Sequence, residues 1–257
     1  MDFSIISDLP IWVLLTAFAI TLFAGTVKGA IGFALPLIMI SGLSSIMEPQ
    51  LALASLIVPV VVSNLLQVFR GGIAPVVSAV RDVWRYALIV CISILVFAQL
   101  VRSIPQATFH LILGVPIVAL AVIQLLGVRV TIPPHRRGIG ELILATISGF
   151  LGGLAGTWGP TTVLYLLAID TPKAKQMVVQ GVIYGAGAVT LLIAHLYSGL
   201  LNTATITFST LMLIPTLLGM WIGFKIQDRM NQVAFRKATL VMLIVAGLNL
   251  LRKGFLG

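Results

Sequence analysis

Lys28 is the only ionisable side chain between Leu9 and Met47, and it stands inside the stretch GTVKGAIG with Gly25, Gly29 and Gly32 around it. A second stretch, GTWGPTT at 156–162, repeats the glycine spacing without the lysine, offering the hydroxyls of Thr157, Thr161 and Thr162 and the indole N–H of Trp158. A full positive charge, hydroxyl donors, backbone N–H groups freed at glycine breaks and no nearby carboxylate suit one kind of ligand, a small anion. The candidate binding set is Lys28, Gly29 and Gly32 in the first stretch and Gly156, Thr157, Trp158, Gly159, Thr161 and Thr162 in the second. Ser55, Gln180 and Tyr184 follow closely enough to reach the same place. His195, beside Ser198 and Gly199, is a candidate proton carrier, an interfacial position being its blander reading.

Each of these residues also has a structural explanation. A lysine in an apolar run can reach for an interface or a backbone carbonyl, and GxxxG permits close helix packing. The stripe Ser55, Pro59, Ser63 and Gln67, with Asn64 adjacent, reads as interhelical hydrogen bonding. Lys28 lies near the centre of its run, too deep for an interface if that run were one long helix, and intramembrane charges are usually functional.

The elements around these stretches must be membrane helices. Hydrophobic residues make up 59% of the 257-residue chain and charged residues 9%, where a soluble domain carries about a quarter. Uncharged runs fill 9–27, 30–47, 49–69, 86–101, 103–128, 142–169, 176–224 and 238–251, continuous rather than alternating. Spans of about 20 residues, with every backbone group satisfied internally, imply helices. The opening MDFSIISDLP carries no Lys or Arg, so it predicts a retained first segment rather than a cleaved leader. Sixteen Lys and Arg against seven acidic residues give a net charge of +9, concentrated in short loops, where charge orients a protein in a membrane; nucleic acid is not expected as a partner. One Cys, three His, no HExxH and no paired intramembrane Asp argue against a metal site, a cofactor and an enzyme.

A repeat organises the chain. Phe23, Gly25, Gly29 and Gly32 recur as Phe150, Gly152, Gly156 and Gly159, each 127 residues on, and the same shift carries Gly72 to Gly199 and Arg102 to Arg229. The chain thus reads as one transmembrane transporter domain, 1–257, with repeats 1–128 and 129–257. If both glycine segments crossed the membrane once, eight crossings would split the loop cations evenly, with Arg70, Arg81 and Arg85 opposite Lys173, Lys175 and Arg229. If each instead enters and returns, all six share one side, and Asp2, Asp8 and Glu48 lie on the other. The excess of Lys and Arg marks the cytoplasmic side. The expected fold is therefore all-α and polytopic: two inverted repeats, each a broken, re-entrant helix hairpin plus three transmembrane helices (seven to eight helices by simple count), with the N-terminus outside. Residues 10–47, about 57 Å of helix against a bilayer core of about 30 Å, fit two half-helices meeting at GTVKGAIG. In transporters of inverted repeats, such paired breaks point to the binding site at the midplane.

GFLGGLAGTWGPTTVLYLLAI, with FAGTVKGAIGFALPLIMI as its first copy, resembles the glycine-rich signature of the sulfite exporter TauE/SafE family, and QDRMNQVAFRKATLVMLIVAGLNLL fits its C-terminal region. The resemblance implies a multi-pass transporter of the bacterial inner membrane, carrying sulfite or organosulfonates such as sulfoacetate. An inside-negative potential of about 100 mV favours anion exit by roughly 2.3 kcal/mol per charge, so export by alternating access is the expectation. An anion channel, or an ion-coupled importer of another small organic or inorganic anion, is the alternative. Membrane lipid surrounds the chain, and its oligomeric state is open, a homodimer included.

Overall fold

A computed structural model describes residues 4–98, 115, 118–119, 121–123, 125–128, 131–155, 158–197 and 199–256. Among these the fold is all-α, without a strand. The helices are α1 (Ser4–Asp8), α2 (Ile11–Ile31), α3 (Leu35–Leu43), α4 (Pro49–Phe69), α5 (Ile73–Ala98), α6 (Arg137–Ala155), α7 (Gly159–Ala168), α8 (Lys173–Tyr197), α9 (Thr203–Leu211), α10 (Leu213–Arg229) and α11 (Gln232–Leu256). Among the described residues, five stretches are long and apolar enough to cross a bilayer: Ile11–Ile31, Gln50–Phe69, Lys173–Ile193, Thr203–Arg229 and Gln232–Asn249. Their outward faces are greasy, with Ile11, Trp12, Leu15 and Phe23 on α2 and Leu218 and Trp221 on α10 exposed. Such faces are stable only against lipid.

The chain breaks at the last glycine of the first stretch. α2 runs unbroken through GTVKGAI and stops at Gly32, whose φ of 88° places it in the left-handed region and whose N–H bonds the Lys28 carbonyl at 2.7 Å. That is a glycine-ended helix terminus. Two residues later Ala34 also has positive φ, 77°, and α3 begins with Pro36 in its first turn. α3 folds back along α2, since Gly42 lies against Ile20. Gly25 and Gly29 serve a different purpose. They press against the backbone of α10 at Thr216 and Met220, while Gly219 and Gly223 of α10 press against Leu22 and Thr26 of α2. Reciprocal GxxxG faces let the two helices approach to backbone contact, with α2 helical up to Gly32.

The second copy is arranged likewise. α6 ends at Ala155, α7 starts at Gly159 with Pro160 in its first turn, and Gly149 packs against the Val90 carbonyl of α5 as α2 packs on α10. α4 and α8 cross the centre antiparallel, Val68 beside Gly181 and Asn64 beside Gly185. Pro59 interrupts α4 and cannot bond the Ser55 carbonyl. Ser209 of α9 donates to that carbonyl at 3.1 Å.

The loop cations gather on one face. Arg70 pairs with Asp228 at 2.6 Å, Lys175 with Asp82 at 2.6 Å and Arg236 with Asp170 at 3.1 Å. The first two pairs join residues that single crossings by both glycine segments would put on opposite sides of a membrane.

Candidate functional site

Lys28 sits on the last turn of α2 with its side chain 2% exposed. Its ammonium donates to Asn64 Oδ1 at 2.6 Å, Gln67 Oε1 at 2.7 Å and the Gly32 carbonyl at 3.3 Å. The left-handed turn at Gly32 makes that third acceptor available by swinging a carbonyl back over the helix end. All three acceptors are neutral, and no carboxylate among the described residues pairs with Lys28. A buried cation is normally balanced by an anion, because hydrogen bonds alone offset only part of the cost of taking a charge out of water. The ring of Tyr184 lies 5.6 Å from Nζ, adding cation–π attraction.

Lys28 borders a cavity with about 40 Å³ of room for water-sized contents, small enough to exclude anything but a compact solute. Its walls include Phe33, Ala34 and Pro36 from the first break, Trp158, Gly159 and Pro160 from the second, and Asn64 and Tyr184 from α4 and α8. The N-termini of α3 and α7 thus border one space, neither carrying a side-chain cap. Leu35 and Leu37 lie in the first turn of α3, and Gly159 and Thr161 in that of α7, where backbone N–H groups have no helical partner. Tyr184 is fixed by donating its hydroxyl to the Gly159 carbonyl at 3.0 Å.

The other expected site residues fall into separate groups. Trp158 and Gly159 line the cavity with Lys28 and Tyr184. Gly32 ends α2 at its edge, enclosed by Gln67, Met177 and Gln180, and Gly29 lies in the α2–α10 seam instead. Thr161 and Thr162 turn away from the space. Ser148 Oγ lies 2.8 Å from each hydroxyl and donates to the Trp158 carbonyl at 2.8 Å, and Tyr86 donates to Thr162 at 3.3 Å. The Thr162 hydroxyl also bonds the Trp158 carbonyl, four residues back, at 3.0 Å, a common local option for threonine in a first turn. Gln180 reaches the first break from outside. With its amide nitrogen facing the turn, it donates to the Gly32 and Ile31 carbonyls at 3.1 and 3.2 Å and accepts from Gln176 at 3.1 Å. Ser55 belongs to the α4–α9 contact, donating to the Ala52 carbonyl at 2.8 Å. His195 stands in the last turn of α8, about 16 Å along the helix from Tyr184. Gly156 and Thr157 lie outside the described residues.

Asn64 and Gln67, which the sequence offers only as interhelical bonding residues, hold the lysine. Their signal was present, two amides three residues apart on an otherwise apolar helix, but nothing local connects them to position 28. No residue cluster of metal-binding type occurs among the described residues.

The family model described as sulfite exporter TauE/SafE matches residues 17–250, spanning both glycine stretches and every residue that lines the cavity. Neither the curated proteins nor the solved structures gave a match. A match over nearly the whole chain makes this a multi-pass membrane protein of a transporter family: the chain belongs to the sulfite exporter TauE/SafE family.

Proposed function

We propose that this protein exports sulfite or a small organosulfonate such as sulfoacetate across the bacterial inner membrane, binding it in the cavity beside Lys28. The observation that carries the reading is a buried lysine with three neutral acceptors and no carboxylate, facing a space bordered by two helix N-termini. Each supplies positive potential, and nothing negative among the described cavity residues answers it. A sulfur oxyanion brings one compact charge and several acceptor oxygens, which suits convergent N–H donors around a cavity of this size.

The mechanism is alternating access, one inverted repeat moving against the other about this site. Support comes from the antiparallel crossing of α4 and α8, which occupy corresponding places in the two halves, and from α3 folding back along α2. The gathering of Arg70, Asp228, Lys175 and Asp82 on one face supports it too. Positive loops put that face in the cytoplasm and the N-terminus outside. Export follows from the membrane potential, which drives an anion outward without a coupling ion.

Flux of labelled sulfite, sulfoacetate and taurine into proteoliposomes, wild type against Lys28→Ala, tests the reading. Saturable flux lost in a variant that still purifies as a folded species is the expected result. Undiminished flux in Lys28→Ala would move the site away from the lysine, and absence of flux for every sulfur anion would overturn the substrate class.

A further inference from the structure

A second space opens on the cationic face, a vestibule of about 650 Å³ whose walls include Gln67, Arg70, Lys173, Lys175, Met177 and Asp228. One of those residues also bonds a residue that lines the central cavity. The oxygen of Gln67 accepts from Lys28, which lines the central cavity, while its nitrogen donates to the Met177 carbonyl of α8 at 2.7 Å. Gln67 is 2% exposed and Met177 5%, and between them Gly32 is packed so tightly that an added Cβ would meet Met177 Sδ at 2.8 Å and Gln67 Nε2 at 3.0 Å. The partition between vestibule and cavity is therefore one side-chain layer thick. The Gln67 amide joins α2, α4 and α8 there, beside Gln180 of α8, which bonds the Gly32 and Ile31 carbonyls of α2.

We propose that Gln67 is the latch of the gate between the vestibule and the central cavity, and that it is released through Lys28. The inference rests on the anion reading for its trigger but not for its closure. With the cavity empty, the ammonium holds the Gln67 oxygen and so fixes the amide plane whose nitrogen ties α4 to α8. An anion in the cavity offers the ammonium a charged acceptor in place of a neutral one. The ammonium turns toward it, the amide loses its orienting bond, and the tie to Met177 weakens while the site is filled. Opening is thereby triggered by an anion that reaches the ammonium, from the vestibule in the export direction, and without one the gate rests shut on this side. The positively lined vestibule then serves as the antechamber in which an anion collects.

The test uses full-length protein in proteoliposomes with Cys91→Ser, a reporter Val60→Cys in the cavity wall, and a small anionic methanethiosulfonate reagent added from the vestibule side. Ser78→Cys in the vestibule identifies that side and reports reagent access. Gln67→Leu removes both bonds, and Gln67→Glu keeps the contact to Lys28 while losing the donor to Met177. Both are expected to speed modification of the reporter by about tenfold or more, the factor that loss of one buried hydrogen bond would give, with the Ser78→Cys rate unchanged. Reporter rates unaltered in both variants would overturn the latch. So would acceleration in Gln67→Leu alone, since the donor to Met177 would then not be the tie. Faster labelling in both variants without any sulfonate flux in the wild type would uphold the latch and defeat the substrate reading; flux with unaltered labelling would do the reverse.

Discussion

The two broken hairpins lie 127 residues apart along the chain yet are built from opposite materials. In the first, α2–α3, the turn is made by backbone in the left-handed region and held by a cation on two amides. In the second, α6–α7, the turn is tied by hydroxyls: Ser148, Thr161, Thr162 and Tyr86 converge on one another and on the Trp158 carbonyl. The 127-residue shift pairs Lys28 with Ala155, Asn64 with Leu191 and Gln67 with Ala194, so none of the charged assembly has a counterpart. Conversely, Ser148 answers to Thr21 and Thr162 to Leu35. Two hairpins of the same form are thus held in different ways, one by a charge and the other by neutral cross-bracing. On the proposed function, the charged half recognises the anion and the braced half presents a fixed wall.

That contrast can be broken at its strongest point first. Lys28→Met keeps the length of the side chain and removes the charge, and sulfonate flux should fall by roughly 100-fold or more, as expected when a single buried charge pair worth about 3 kcal/mol is lost. If Ser148→Ala costs as much flux, the division of labour is wrong. Gly32→Ala comes next. A side chain there meets positive φ and the packed Gln67, Met177 and Gln180, so detergent-solubilised protein should lose about 2 kcal/mol or more in denaturant or thermal unfolding. Ser148→Ala leaves three oxygens short of a shared partner and should cost about 1–3 kcal/mol of stability with a flux change under about tenfold. The smallest effect belongs to Gly159→Ala, the counterpart of Gly32 in the second copy. Its new methyl finds nothing closer than Phe33 at 3.7 Å in helical backbone, and stability should hold or rise by about 0.5 kcal/mol. Equal costs at Gly32 and Gly159 would show that both turns carry the same strain.

The sequence made visible what composition and periodicity control. Long uncharged runs became long helices, and one lysine in forty oily residues proved to be buried beside a cavity with Trp158, Gly159 and Tyr184. The first break was legible within GTVKGAIG, but not which of its three glycines ends the helix. Whether a glycine pair ends a helix or seats a neighbour depends on the neighbour, here Gly219 and Gly223 of α10, about 190 residues away along the chain. Thr161 and Thr162 were read as donors to a ligand, yet the first turn of a helix offers a threonine hydroxyl its own backbone, and Trp158 took both. Asn64 and Gln67 escaped because partnership across 36 and 39 residues leaves no trace in local spacing.

Pro59 has a bearing on how the chain reaches its final state. The carbonyl of Ser55, deprived of its helical partner, is satisfied by Ser209, a residue made 154 positions later. Within lipid no water can substitute, and an orphaned backbone carbonyl costs several kcal/mol. A nascent chain that has delivered only its first half to the membrane therefore carries a helix with a vacant acceptor and a bare glycine face on α2. Both are filled only when α9 and α10 emerge. The first half is a dependent: expressed alone it lacks the pieces that finish it, and maturation of this protein in the membrane has to wait for its last quarter.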